Sequence, residues 1–218
     1  TFNAPIAGTI FAMEVILGRF TVRYFGAVVI SAVAASVTSQ AIIGNKLAIE
    51  VPAYPLHSVA ELPIYMVLGL LAALVAVLFI RVLYFTEAKF DAWRIPLPVK
   101  TSLGMVLTGI VALLVPGQEV LGPGLHTIAG TIAHDFPLSL SMMAILLIGK
   151  LLATTFTLGS GNSGGVFAPS LFMGAVLGGM VGTIAQSLWP DVAVNPGAYA
   201  IVGMAAVFAG AARAPITA

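Results

Sequence analysis

An all-α, polytopic membrane protein, built as a bundle of tilted and discontinuous helices, is the fold class this chain predicts, and three observations carry the prediction. The first is composition: of 218 residues, 60% are hydrophobic and 8% are charged, against about 25% charged in soluble domains. The second is a series of apolar spans of unequal length, some long enough to cross a bilayer and several too short. The third is a glycine run, Gly159 to Gly165, that opens directly into the apolar stretch Val166-Phe167-Ala168-Pro169. Together they describe helices with ends inside the membrane, which is tolerated only where those ends line a polar cavity.

The spans run at residues 4 to 18, 24 to 43, 62 to 85, 101 to 115, 138 to 157, 166 to 189 and 197 to 212. Crossing a ~30 Å hydrocarbon core takes about 20 helical residues. The spans that begin at 4, 101 and 197 therefore need tilt or burial. Arg19 and Arg23 precede the second span and Arg81, Lys89, Arg94 and Lys100 follow the third, while Lys46 alone stands between. Two crossings bring both basic groups to one side, which the positive-inside rule makes cytoplasmic. The stretches 44 to 61 and 116 to 137 then read as external loops.

The glycine run carries the chemistry. First-turn amides of a helix have no intrahelical acceptor and together bear about half a positive charge, so an anion is stabilised there without a formal cation. Pro169 fits a first turn, where its missing N–H costs nothing. Glycines ahead of it let the backbone approach a ligand. A second reading stands beside this one: a plain loop, followed by Gly174, Gly178 and Gly179 as small residues for close helix packing.

Other chemistry is thin. A net charge of +1 and no basic cluster argue against a nucleic acid partner. No cysteine is present, which removes disulfides and thiolate metal sites. His57, His126 and His134 fall in predicted loops, without carboxylates at ligand spacing, so no metal site is expected. Glu87 and Asp91 lie beside Lys89 and Arg94 and read as a solvated interfacial face. No hydrolase triad, nucleotide loop or dinucleotide fingerprint occurs; neither an enzyme nor a cofactor is expected. Two charges lie within apolar spans. Glu14 is a functional candidate by its position, or is paired with a helix-end amide or Arg19; Lys150 attracts anions, or snorkels, or is paired.

Asn3-Ala4-Pro5-Ile6-Ala7-Gly8 is echoed by Arg213-Ala214-Pro215-Ile216-Thr217-Ala218, as expected of a transporter built from structural repeats. The chain begins without methionine and reads as an internal piece of a longer protein.

Four segments, in order, carry a family resemblance: Phe2-Asn3-Ala4-Pro5-Ile6-Ala7-Gly8 with Phe11-Ala12-Met13-Glu14; Glu119-Val120-Leu121-Gly122-Pro123-Gly124; Gly165-Val166-Phe167-Ala168-Pro169; and Arg213-Ala214-Pro215-Ile216-Thr217. They resemble the CLC family of voltage-gated chloride channels and chloride/proton antiporters. The resemblance implies that residues 1–218 are part of a single inverted-repeat CLC-type transmembrane domain, about its C-terminal half. The end of the first repeat would cover about 1–45 and most of the second about 60–218. It implies a multi-pass protein of the plasma or inner membrane, a homodimer with one anion pathway per subunit, and chloride as substrate with no cofactor. The anion would be bound by the main chain of Val166 and Phe167, in a site shaped by Gly165 and Pro169. The family's serine motif, external gating glutamate and pore tyrosine have no match here, and the resemblance puts them outside the chain.

One departure concerns mechanism. Exchangers of this family commonly carry two adjacent glutamates after the Asn-Ala-Pro motif, the second relaying protons internally; here the pair is Glu14-Val15. Valine takes up no proton, so the expectation is passive, channel-like conduction. Chloride/proton antiport is the alternative, with Glu14 or bound water as the relay, and a non-conducting membrane scaffold is a more distant one.

Overall fold

A computed structural model describes residues 4–18, 20–44, 52–56, 58–133 and 138–217. Asn3 of the echo, Arg19, Lys46, His57 and His134 lie outside the described residues. Among the described residues eight α-helices follow one another: α1 (Pro5–Phe11), α2 (Val22–Ile43), α3 (Leu62–Ala92), α4 (Leu97–Leu114), α5 (Leu125–Ala133), α6 (Leu140–Gly159), α7 (Phe167–Leu188) and α8 (Pro196–Ala212). A π-helical turn, Ala12–Ile16, prolongs α1. Local chemistry sets several starts. Proline stands in the first turn of α1, α3, α4 and α8, where no amide is required. Ahead of α3, Ser58 and Glu61 form a reciprocal capping box over the turn Val59–Glu61.

Among the described residues five helices are long and apolar enough to cross a membrane: α2, α3 with its preceding turn, α4, α6 and α7. The segments Pro5–Ile16 and Pro196–Ala212 are apolar but shorter, as the sequence predicts. Two expectations are corrected. The fourth span begins at Leu97 and reaches crossing length, because Leu97-Pro98-Val99 supplies a helical start that the charge on Lys100 hid. The stretch 116–137 also contains α5, so His126 sits on a helix. Its nine residues follow Gly122-Pro123-Gly124, and a helix that short between breakers leaves little periodicity to read.

The core lies where α6, α7 and α8 meet, with α5 packed on α7 and α8 and α3 on α6 and α8. Phe172, Val176, Leu146 and Ile128 are completely buried there. Packing between α7 and α8 is the most extensive in the molecule, and glycine spacing explains it. Gly174, Gly178 and Gly182 recur every fourth residue and share one face of α7. A Cβ on Gly178 would collide with the Tyr199 carbonyl, and one on Gly182 would lie 2.8 Å from the Pro196 Cα. Two backbones in direct contact gain dispersion energy that lipid does not supply. The packing role of these glycines is therefore real, and it lies inside α7, beyond the glycine run that precedes it. α2 is the most exposed of the spans and α7 the most buried.

Candidate functional site

The lead-in to α7 is anchored on one side. The last turn of α6 closes with Gly161 in the left-handed region, φ +86°, its N–H donating to Leu158 O at 3.0 Å. Asn162 donates from its backbone to Thr157 O at 3.2 Å and from Nδ2 to Thr101 O and Ser160 Oγ, each at 2.9 Å. Residues 163–166 are exposed. Val166 is the N-cap and Phe167 the first helical residue, so the helix starts where the glycine run predicts. The α7 ladder begins with Ser170 N–H donating to Val166 O at 3.1 Å, and earlier amides point out of the helix mouth. No side chain caps this end and no acidic residue stands in its first turn. Its dipole is thus left uncompensated from within, worth about 0.3–1 kcal/mol to an anion in an exposed setting and up to ~2 kcal/mol where partly buried.

Phe167 separates two cavities. One, of about 530 Å³, is bounded by Gly164, Gly165, Phe167 and Pro169, by Lys150, and by the 120–123 segment. Thr108 and Thr157 also line it. Both hydroxyls are occupied: Thr157 donates to Ala153 O at 2.8 Å, and the Thr108 Oγ1 is 3.0 Å from that of Thr157 and 3.0 Å from Gly104 O. The second cavity, of about 940 Å³, lies among α1, α2, α7 and α8 and is mostly apolar, with Thr217 at its edge. The Phe167 ring packs edge-on against Phe11 at 5.8 Å and Phe208 at 4.9 Å. Side chain and backbone of one residue therefore do different work. The ring is clamped between α1 and α8 while the main chain forms the helix mouth.

Glu14 lies in the π-helical turn. Its carboxylate accepts from Ile216 N at 3.1 Å, Thr217 N at 2.8 Å and Thr217 Oγ1 at 2.6 Å. It is paired with backbone amides as one reading expects, but these lie in the turn beyond α8 and not at a helix end; Arg19 lies outside the described residues. Those amides belong to the second copy of the echo, so Glu14 ties the turn that prolongs α1 to that segment. Val15 next to it is 38% exposed and brings no polar group.

Lys150 is also paired. It is 1% exposed, donates from Nζ to Val120 O at 3.0 Å and Gly122 O at 2.6 Å, and lies 4.8 Å from the centre of the Phe172 ring. Sequence reasoning missed these acceptors, as it missed Ile216 and Thr217. The available signal was a lysine within an apolar helix and a segment broken by Gly122-Pro123-Gly124, whose irregular backbone leaves carbonyls in need of donors. His126 is 3.9 Å from Glu119 and well exposed, and among the described residues no three metal-ligating side chains gather. Glu87 and Asp91 are exposed.

Short and long apolar helices, and a helix start that opens on a cavity, define a multi-pass membrane protein with helices of unequal span. The family model described as voltage gated chloride channel matches residues 1–218, and the chain belongs to that family. It is 36% identical to the H(+)/Cl(-) exchange transporter ClcA of Vibrio vulnificus over 223 residues, covering 99% of this chain and 47% of that protein. It is 34% identical to the putative chloride channel protein ClcB-like of Ralstonia nicotianae, covering 99% of this chain and 49% of that one. Among solved structures, a slow cyanobacterial Cl⁻/H⁺ antiporter superposes with a TM-score of 0.84 at 26% identity, over 99% of this chain and 51% of that one. The chain thus spans about half the length of these relatives.

Proposed function

We propose that the protein containing this chain carries chloride across a membrane in exchange for protons, and that the anion is held at the start of α7 by the main-chain amides of Val166 and Phe167, with Gly165 and Pro169 shaping the approach. The observation that carries the site is the mouth of α7: a glycine lead-in, no capping side chain, no acid in the first turn, and an adjoining cavity. A dehydrated chloride needs several donors, whereas a full charge in direct contact would trap it, and conduction requires sites weak enough to leave. Exchange takes precedence over the passive conduction expected from Val15, because the Vibrio relative and the cyanobacterial structure both carry exchanger descriptions. Passive conduction remains the second reading. It is favoured by Val15 and by the three hydrogen bonds that engage the one carboxylate beside it. The working unit is a homodimer, and the exposed apolar surface of α2 supports a role for that helix against lipid or further protein.

The test uses the whole protein in oriented vesicles under a fixed chloride gradient. Exchange shifts the reversal potential when a pH gradient is imposed, and chloride flux drives protons uphill. A reversal potential that tracks chloride alone establishes passive conduction. Absence of any chloride flux leaves the scaffold reading.

A further inference from the structure

Resting on the anion reading above, we propose that Lys150 is a positioning residue of that site: it keeps the cavity selective for anions by occupying the carbonyl oxygens of Val120 and Gly122, and it does not bind the anion itself. The 120–123 segment lines the same cavity as Gly164, Gly165 and Pro169. This segment is neither helix nor strand, and Gly122 and Gly124 adopt left-handed backbone with φ +61° and +71°. Its carbonyls have no ladder to join. Carbonyl oxygens facing a cavity coordinate cations and repel anions. Two of them beside a chloride site would counteract the α7 dipole.

Lys150 takes both. Its ammonium reaches across from α6 to oxygens 30 and 28 residues away in sequence, at 3.0 and 2.6 Å. An ammonium has three donors and no acceptor. Two are spent on these carbonyls, and the face of Phe172, at 4.8 Å, covers the cation from α7. With 1% of its surface exposed, Lys150 is committed to protein partners. It fastens the 120–122 backbone to α6 and, through Phe172, to the second turn of α7. Gly124 strengthens the same junction, since a Cβ there would run into the Phe172 ring. A cation used this way adds positive potential to the wall without offering a sticky ligand.

The experiment compares the whole protein with Lys150→Met and Lys150→Arg. It reads chloride affinity by calorimetry, anion-over-cation permeability by reversal potential in a potassium chloride gradient, and amide hydrogen exchange over 120–124. Lys150→Met is expected to weaken chloride binding by at least about tenfold, ~1.4 kcal/mol, to admit measurable potassium current, and to speed exchange over 120–124. Lys150→Arg should restore all three. Unchanged affinity in Lys150→Met overturns the proposal. So does lost affinity with exchange over 120–124 still slow, which would make the lysine a direct ligand. Should Lys150→Met fail to fold, Phe172→Leu removes the ring face but keeps both hydrogen bonds, and must then shift affinity and exchange in the same direction by less; no shift overturns the proposal. If the unaltered protein binds no halide, the anion reading itself fails, whereas intact binding with an inert Lys150→Met sinks this inference alone.

Discussion

Gly165 shows how a single residue can be open for a ligand and not for packing. A Cβ built on it meets nothing within 4 Å, and its backbone is outside the left-handed region, so a side chain there is tolerated by the fold. The methyl groups of Gly165→Val would project beside the amides of Val166 and Phe167 and crowd any anion approaching them. The expected outcome is unchanged thermal stability in detergent with chloride affinity reduced about tenfold or more, ~1.4 kcal/mol or above. Halide titration by calorimetry measures it, and wild-type affinity in the variant would remove Gly165 from the site. The glycines within α7 present the opposite case.

Along α7, Gly178 faces the α8 backbone so closely that no Cβ fits without collision with Tyr199 O. Gly178→Val must push the two helices apart or distort one, and overpacking of this kind costs about 1–3 kcal/mol. Thermal denaturation of the purified protein should show that loss, and a melt like that of the wild type would mean that the seam is looser than it looks. This contrast also marks what could be read in advance. Long apolar spans, the start of α7 and the order of the helices were legible, because hydrophobic length and Gly/Pro punctuation are local signals. The start of α4, the short α5 and the π-helical turn were not. α4 starts on a local signal, Leu97-Pro98-Val99, that the charge on Lys100 hid; the other two depend on distant contacts, α5 by burying Ile128 and Ile132 against α7 and α8, the π turn by carrying Glu14 toward the amides of 216 and 217. The candidate site divides in the same way. Its main-chain half follows from the glycine run, whereas the partners of Lys150 and Glu14, 28 to 203 residues distant in sequence, required the fold.

At the scale of the whole molecule, Glu14 is, among the described residues, the side chain that bonds the turn prolonging α1 to the last described residues of the chain. Its three hydrogen bonds to Ile216 and Thr217 suit a charged carboxylate acting as a clasp between two segments, the π-helical turn after α1 and the turn after α8. The same carboxylate is the titratable group nearest the position where Val15 offers none, and Thr217 borders the large cavity that Phe167 also lines. Both roles are physically compatible, since a carboxyl that takes up a proton weakens its grip on backbone N–H donors and so links protonation to the separation of the two segments. Glu14→Gln separates them. Glutamine keeps a carbonyl oxygen for one of the donors, so the protein should fold, with stability lowered as charge-assisted bonds become neutral ones. If protons pass through Glu14, proton flux driven by a chloride gradient disappears in this variant while chloride flux persists, as measured by parallel pH and chloride electrodes on vesicles. Adding a carboxyl by Val15→Glu should not by itself raise the coupling ratio, because a relay also needs a continuous water path. Proton flux that survives Glu14→Gln, together with the loss of stability, would assign Glu14 to the clasp alone and send the protons by a route that does not use it.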